Sequence, residues 1–553
     1  MEHQLALLET RSCDRKPAHG ARHRPETTPL HAVVHEYLET FLAEAARHDR
    51  VVPRFIEREL RAYLECGLLQ FGLVRLRCED CGHSRLLAFS CKNRSFCPSC
   101  MGRRMADTAA HLVDRVLPEV PVRQWVLSLP HALRYRLAYD HRLCSDVLRL
   151  LIRTVFGALR RRARAACGEA GRTAACGAVT FVQRCGDALN LNVHFHSLIL
   201  DGVYLEGEDG SPRFRPLPPP TDDDVAQITA MVARRLQRLL ERRGFFEPDA
   251  PEADPLASES PLLAELCAAS VRGRIASGPR AGQKLLRLGD RIDAEDTVSF
   301  TGPRCAAVAG VSLHANVCVP ARDRKRLERL CRYVARPPVS SERLSRHPDG
   351  RVLYRLKRRW RDGTTHFLFD PLDFLGKLAA LVPPPRAHQV RYHGVLAPAA
   401  RKRAAVVADR PSEHMGRVAE PMELFPSDLR AMQRPGRRLP RESAAQLGRP
   451  PSLDPPATGP GVAGSGGVAG AAGEPRRAPR ARRLSWAELM RRVFAADVLE
   501  CGRCHGRMRI VSVIDQPEVI AKILTHLGLP PRAPPPHPAR SGLRGPSVGL
   551  DSF

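Results

Sequence analysis

A chain of 553 residues is too long for a single hydrophobic core, so two to four domains are expected. Its 87 Lys and Arg against 59 Asp and Glu leave a formal charge of +28, which points to a polyanionic partner such as nucleic acid. No run of 18 apolar residues occurs, and residues 1–26 carry charges where a signal peptide needs an apolar stretch, so a membrane-spanning or exported chain is not expected. The 17 cysteines, several in pairs two residues apart, argue for metal ligation in a reducing cytoplasm rather than for disulfides.

Residues 1–30 show no period and read as a mobile lead-in. Between 31 and 71 the spacing predicts two helices: Val34, Tyr37, Leu38 and Phe41 recur at helical steps, then Phe55, Leu60, Tyr63 and Leu64 after Pro53. Cys78-Glu-Asp-Cys81 and Cys97-Pro-Ser-Cys100 follow. Two such knuckles close a tetrahedral zinc site, with Cys91 and His83 as spare donors. Arg85, Lys92, Arg94, Arg103 and Arg104 make this module basic, as a DNA-docking platform or a solvated scaffold would be.

A buried strand is expected from Gln124 to Pro130, and a basic amphipathic helix over 142–164. Residues 178–184 and the next strand read as a hairpin around Gly186-Asp187. In that second strand Leu189, Leu191, Val193 and Phe195 alternate with Asn190, Asn192, His194 and His196, so both histidines share one face. Two neutral imidazoles there can meet at one divalent cation, or form no more than a polar strand face. Residues 206–295 read as an insertion, with a helix over 222–243 and no evident chemistry. The strand at 311–319 puts Ser312, His314, Asn316 and Cys318 on one side. The helix after it buries Leu327, Leu330, Cys331 and Val334, while Arg322, Arg326, Arg329, Tyr333 and Arg336 form a separate row. An aromatic near a helix end commonly packs on a neighbour, but a tyrosine meant for core packing more often sits on the leucine stripe. A hairpin over 351–369, a helix over 372–381 and an extended stretch ending at Gly394 come next. Residues 404–483 read as a disordered linker, 484–529 as a small unit with Cys501-Gly-Arg-Cys504, and 530–553 as a disordered tail. The second pair is half of a candidate second zinc site; His505 and His526 are available to complete it.

The order of these motifs resembles the rolling-circle transposases of bacterial insertion sequences, in which an HUH endonuclease domain follows an N-terminal zinc-binding domain. The resemblance is carried by Cys78-x2-Cys81-Gly82, Ser90-Cys-Lys-Asn-Arg-Ser-Phe-Cys97-Pro-Ser-Cys100, Leu191-Asn-Val-His-Phe-His196 and Asp201-Gly-Val-Tyr204. Further along it includes Ser312-Leu-His-Ala315, Leu330-Cys-Arg-Tyr-Val-Ala-Arg-Pro-Pro338, Phe369-Asp-Pro-Leu372 and Arg391-Tyr-His-Gly-Val395.

The resemblance implies an α/β (α+β) chain: a helical and zinc-binding domain over 31–115, then an HUH domain over 120–400 with a central antiparallel sheet flanked by helices. It implies structural Zn2+ on Cys78, Cys81, Cys97 and Cys100, and catalytic Mg2+ or Mn2+ on His194, His196 and His314. Tyr333 would attack single-stranded DNA to give a 5′-phosphotyrosine, with Arg326, Arg329, Arg332 and Arg336 on the phosphates. Gln183 is set aside as a third ligand: a two-residue turn would pair it with Asn190, about 13 Å along the strand from His194. Where two-tyrosine members carry their other tyrosine, one turn before Tyr333, this chain has Arg329. A homo-oligomer would fit the need for a second attachment; no membrane or small-molecule partner is implied. A plasmid replication initiator or relaxase-type nickase, a metal-dependent hydrolase without a covalent intermediate, and a non-catalytic zinc DNA-binding protein are the alternatives.

Overall fold

A computed structural model describes residues 24–47, 50–245, 254–276, 278, 280–289, 302–360, 362–407, 484–494 and 497–540. Residues 1–23 of the expected lead-in, 408–483 of the linker and 541–553 of the tail lie outside the described residues. Of the rest, the lead-in's Pro29 and Leu30 begin a helix, the linker's first residues end a short one, and Arg540 of the tail pairs with Glu36 at 2.6 Å.

Helix α1 (Pro29–Arg47) begins on a proline, whose missing N–H costs nothing in a first turn, and α2 (Arg54–Glu65) starts after Pro53. They bury Leu30, Val34, Leu38, Ile56 and Leu60. The hairpin β1 (Leu73–Cys78) and β2 (Ser84–Ala88) leads to α3 (Pro98–Arg115) and β3 (Val122–Ser128). α4 (His131–Tyr139) and α5 (His141–Cys167) precede β4 (Gly177–Cys185) and β5 (Leu191–Leu200). Next come β6 (Gly202–Glu206), β7 (Pro212–Pro216), α6 (Asp222–Glu241), α7 (Pro255–Glu259), α8 (Pro261–Arg272) and β8 (Leu286–Gly289). β9 (Cys305–Val308), β10 (Val311–His314) and β11 (Cys318–Val319) lead into α9 (Arg324–Val334). β12 (Leu344–Arg346), β13 (Val352–Arg355), β14 (Thr364–Phe369), α10 (Pro371–Leu381), β15 (Val390–Gly394) and α11 (Arg403–Val406) follow. The C-terminal segment holds α12 (Trp486–Phe494), β16 (Met508–Ile514) and α13 (Pro517–His526).

The central sheet runs β15-β4-β5-β3-β10-β9, with β11 added to β3, and every pairing is antiparallel. Because side chains alternate across a strand, each face has its own core. On one face Trp125, Leu127, Val193, Phe195 and Leu313 pack with apolar residues of α4, α5, α8 and α10. On the other, Val122, Val179, Phe181, Leu198 and Leu200 pack with Leu112 and Val113 of α3 and Leu327, Leu330 and Cys331 of α9. The segment expected as an insertion is built into this architecture: α6, opened by a Thr221–Asp224 capping box, buries Val225, Ile228, Val232 and Leu236 in the first core.

One buried ion pair ties the strands at the far end of the sheet from the histidines. The Arg123 guanidinium donates to both Asp201 carboxylate oxygens, at 2.9 and 2.6 Å, and to the Ala315 carbonyl at 3.0 Å, and both side chains are nine-tenths or more buried. Removing one partner strands a charge in the interior. Asp201→Ala is therefore expected to destabilise the fold by about 3–5 kcal/mol in urea unfolding, and Arg123→Met with Asp201→Leu to cost clearly less than Asp201→Ala alone.

Candidate active site and cysteine clusters

The alternation of β5 sends Val193 and Phe195 into the first core and turns His194 and His196 to the opposite face. Their rings lie 5.0 Å apart. Across the sheet, Gln183 of β4 and Ser128 of β3 sit opposite His194, and Phe181 and Val126 sit opposite His196. The Nδ1 atom of His194 faces its own strand's Asn192 carbonyl at 2.9 Å; that of His196 faces the Gln124 amide at 2.6 Å. Burial pushes both histidines below the ordinary imidazole range; Arg336 adds to this at both, and His194 and His314 add to it at His196. Both rings are therefore neutral at neutral pH. A Nδ1–H given to an oxygen leaves Nε2 free to bind a cation. That arrangement is direct at His194. At His196 the Gln124 amide nitrogen, a donor, faces Nδ1 and leaves the proton on Nε2; the cation-ready tautomer forms when that amide turns its oxygen to the ring.

Helix α9 brings the tyrosine to this face. Asp323 caps its start, accepting the Arg326 N–H at 2.9 Å, and the Gln183 side chain donates to the Val334 carbonyl at 2.6 Å, fastening its end to β4. The half-buried Tyr333 ring stands 6.2 Å from the His196 ring, edge to face. The Arg336 guanidinium lies 4.7 Å and the Lys357 ammonium 5.2 Å from its centroid. Burial, with Arg336 and Arg358 nearby, lowers the Lys357 pKa. Arg336 lies past the helix end, 3.9 Å from Asp187. Arg329 is exposed, and the buried Nε atoms of Arg326 and Arg332 make no hydrogen bond. Elsewhere, a groove of about 870 Å³ between α5 and α6 is lined by Arg149, Arg153, Arg235, Arg238 and Arg242.

Two expectations for the third ligand change. His314 shares the row of His196, but Val126 stands between them, so two strand spacings, about 9.5 Å, separate their Cα atoms. Among the described residues, the histidines form no three-donor group with any His, Cys, Asp or Glu. Gln183 is opposite His194 and not Asn190, because the hairpin loop is longer than two residues. It runs from Gly186 to Asn190, with Leu189 at φ +55°, and a bulge between Gln183 and Cys185 shifts the register. Gln124 and Lys357 carried no sequence signal as members of the site.

The cysteines also regroup. Cys78, Cys81, Cys97 and Cys100 do not meet; the structure gathers Cys66, Cys91, Cys97 and Cys100 in one cluster and Cys78, Cys81, Cys501 and Cys504 in another. The β1–β2 hairpin explains the split. Cys78 and Cys81 occupy its closed tip, whereas Cys66 precedes it and Cys91 and Cys97 follow it at the open end, about 17 Å away along the six residues of β1. In the first cluster the sulfurs of Cys66 and Cys97, Cys66 and Cys100, and Cys91 and Cys100 are 3.7, 3.7 and 3.4 Å apart. A disulfide needs about 2.05 Å. The edge of a tetrahedron with Zn–S bonds of about 2.3 Å is about 3.8 Å. The Cys91 N–H donates to the Cys66 sulfur at 3.3 Å, and Cys97 and Cys100 flank the first turn of α3, whose free N–H groups favour thiolates. Hydrogen bonds from Cys66, Cys91 and Cys97 push the Cys100 thiol far below its ordinary range. Cys66 was missed; its one signal was the following Gly67, at φ +82°, which repeats the Cys81-Gly82 turn. Cys66→Ser is expected to remove one zinc equivalent per chain by elemental analysis, whereas Cys144→Ser, a buried thiol outside both clusters, leaves the metal content unchanged.

Two family models match the chain. Residues 33–129 match a family described as "Transposase zinc-binding domain", of the IS91 type, and residues 177–404 match one described as "Putative transposase". No curated protein and no solved structure matches it. The first range contains all four cysteines of the first cluster, and the second contains His194, His196 and Tyr333. A zinc-binding domain ahead of a mixed helix and antiparallel-sheet transposase domain makes the chain a zinc-binding, DNA-processing protein, and it belongs to the IS91-type transposases.

Proposed function

We propose that this transposase nicks and rejoins single-stranded DNA through Tyr333, and that His194 and His196 hold the divalent cation the reaction needs. The observation that carries this reading is the convergence, on one face of one sheet, of two neutral histidines, a tyrosine 6.2 Å from one of them, and two cations over the tyrosine ring. In the nicking step the tyrosine oxygen attacks the phosphorus, the bond from phosphorus to the 3′ oxygen breaks, and that oxygen leaves and takes up a proton. The products are a 5′-phosphotyrosine and a 3′-hydroxyl. Attack by a 3′-hydroxyl on the phosphotyrosine runs the same exchange backwards and needs no ATP.

Arg336 and Lys357 would meet the phosphate charge beside the tyrosine, with Arg326, Arg329 and Arg332 on flanking phosphates. A bound Mg2+ or Mn2+ would supply further charge neutralisation and orient the phosphate for in-line attack. Gln183, one strand spacing from His194, is nearer than His314 as a third donor to such an ion. With its amide oxygen turned to Nδ1, Gln124 would keep the His196 tautomer that exposes Nε2. With Arg329 one turn before Tyr333, a single covalent attachment forms in each site, and strand transfer is completed by the released 3′-hydroxyl or by a second protomer.

End-labelled single-stranded DNA from the flanks of the gene, incubated with Mn2+ and run on a denaturing gel, tests this. A metal-dependent protein–DNA adduct that disappears in Tyr333→Phe is expected. Cleavage that survives Tyr333→Phe would favour a hydrolase, and salt-sensitive binding without cleavage a non-catalytic DNA-binding protein. Gln124→Leu is expected to raise the Mn2+ concentration for half-maximal adduct formation about 10–100-fold with DNA binding unchanged.

A further inference from the structure

The second cysteine cluster draws two ligands from each end of the chain. Cys78 and Cys81 sit at the tip of the β1–β2 hairpin, and Cys501 and Cys504 sit just ahead of β16, more than 400 residues later. The two knuckles are built alike. In each, the first cysteine's N–H donates to the carbonyl five residues on: Cys78 to His83 and Cys501 to Gly506, both at 2.8 Å. In each, the residue after the second cysteine is left-handed, Gly82 at φ +70° and His505 at φ +60°. The Glu79 N–H donates to the Arg507 carbonyl at 3.1 Å, joining one knuckle to the other. β16 then pairs with β1 from Cys78 opposite Met508 to Leu73 opposite Ile514, giving the three-stranded sheet β16-β1-β2.

The sulfurs of Cys78 and Cys504 are 3.5 Å apart and those of Cys81 and Cys501 3.6 Å, near the edge of a zinc tetrathiolate and far from a disulfide. The apolar support is thin. Leu76, Cys78, Cys501 and Met508 make one small core, and Leu69, Leu73, Ile520 and Leu524 another. Sheets with so few buried side chains commonly need a metal to supply their folding free energy.

We infer that Cys78, Cys81, Cys501 and Cys504 hold one structural Zn2+, so that the N-terminal domain carries a zinc ribbon whose second half is supplied by the C-terminal segment. This site lies partly outside the zinc-binding domain range, which ends at residue 129. It does not depend on the nicking mechanism.

Zinc per chain, measured on the full protein in a His194→Ala/His196→Ala background so that the paired histidines add no metal, tests the assignment. Two equivalents are expected. Cys501→Ser/Cys504→Ser and Cys78→Ser/Cys81→Ser should each retain one, and the four changes together should still retain one, because both pairs serve the same ion. Adding Cys97→Ser/Cys100→Ser to Cys78→Ser/Cys81→Ser should leave none. Two equivalents retained in Cys501→Ser/Cys504→Ser, or the same ion lost with either N-terminal pair, would overturn the assignment. Should a variant fail to fold, cobalt substitution of the cysteine-complete chain decides. Two tetrahedral tetrathiolate centres, counted from the sulfur-to-cobalt charge-transfer absorption per chain, support it, and one centre overturns it.

Discussion

The face of the central sheet that carries His194 and His196 passes from an apolar core at one end to a row of enclosed polar groups at the other, and that border fixes where Tyr333 stands. α3 and α9 lie over Val122, Val179, Leu198 and Leu200, where apolar burial holds them down. From Leu327 to Tyr333 the helix advances about 9 Å, at 1.5 Å per residue. That carries it from its leucine contacts to the row of His196, and Gln183 then fixes its end through the Val334 carbonyl. The tyrosine thus stands at the border between an apolar core and the enclosed polar groups around His196. Its ring is held by packing while its environment is set by histidines and cations.

Charge follows the same division. Where the scaffold needs rigidity, arginines are matched: Arg123 with Asp201, and Arg324 with the carbonyls of Leu117 and Pro118 at the end of α3. Around Tyr333 the matching is loose. Arg336 is 3.9 Å from Asp187, and the Nε atoms of Arg326 and Arg332 make no hydrogen bond. Cations left without close anions are free to meet phosphate, and the paired ones are not.

Local periodicity made much of this legible. Alternation in β5 puts both histidines on one face, and the arginine row sets Tyr333 apart from the leucine stripe by spacing alone. What periodicity could not supply was anything decided by distance across the chain. Gln183 was displaced from the site by an assumed two-residue turn, and one bulge with a longer loop restored it. The pairing of cysteines failed for a related reason. Spacing identifies a knuckle, but which knuckles share a metal depends on which end of a hairpin each occupies, and Cys66 belongs to no knuckle at all. Gln124 reads in sequence as one polar residue in a buried strand; only the register, which places it beside His196, gives it a purpose.

The C-terminal segment reaches the tyrosine helix as well as the zinc-binding domain. Leu489 of α12 packs on Ala106 and Ala110 of α3, and the Arg492 guanidinium bridges Asp114 of α3 at 3.0 Å and Glu328 of α9 at 2.7 Å. Without that guanidinium two partly buried carboxylates on adjacent helices would lose their shared partner, which would weaken the contact of α9 with α3 that the apolar core maintains. The matched transposase range ends at residue 404, so of two cations that tie the Tyr333 helix to α3, Arg324 and Arg492, the second comes from outside it. A C-terminal segment anchored on β1 through β16, and tied to both α3 and α9 through one arginine, therefore belongs to the scaffold that carries the Tyr333 helix and is not an appendage to it.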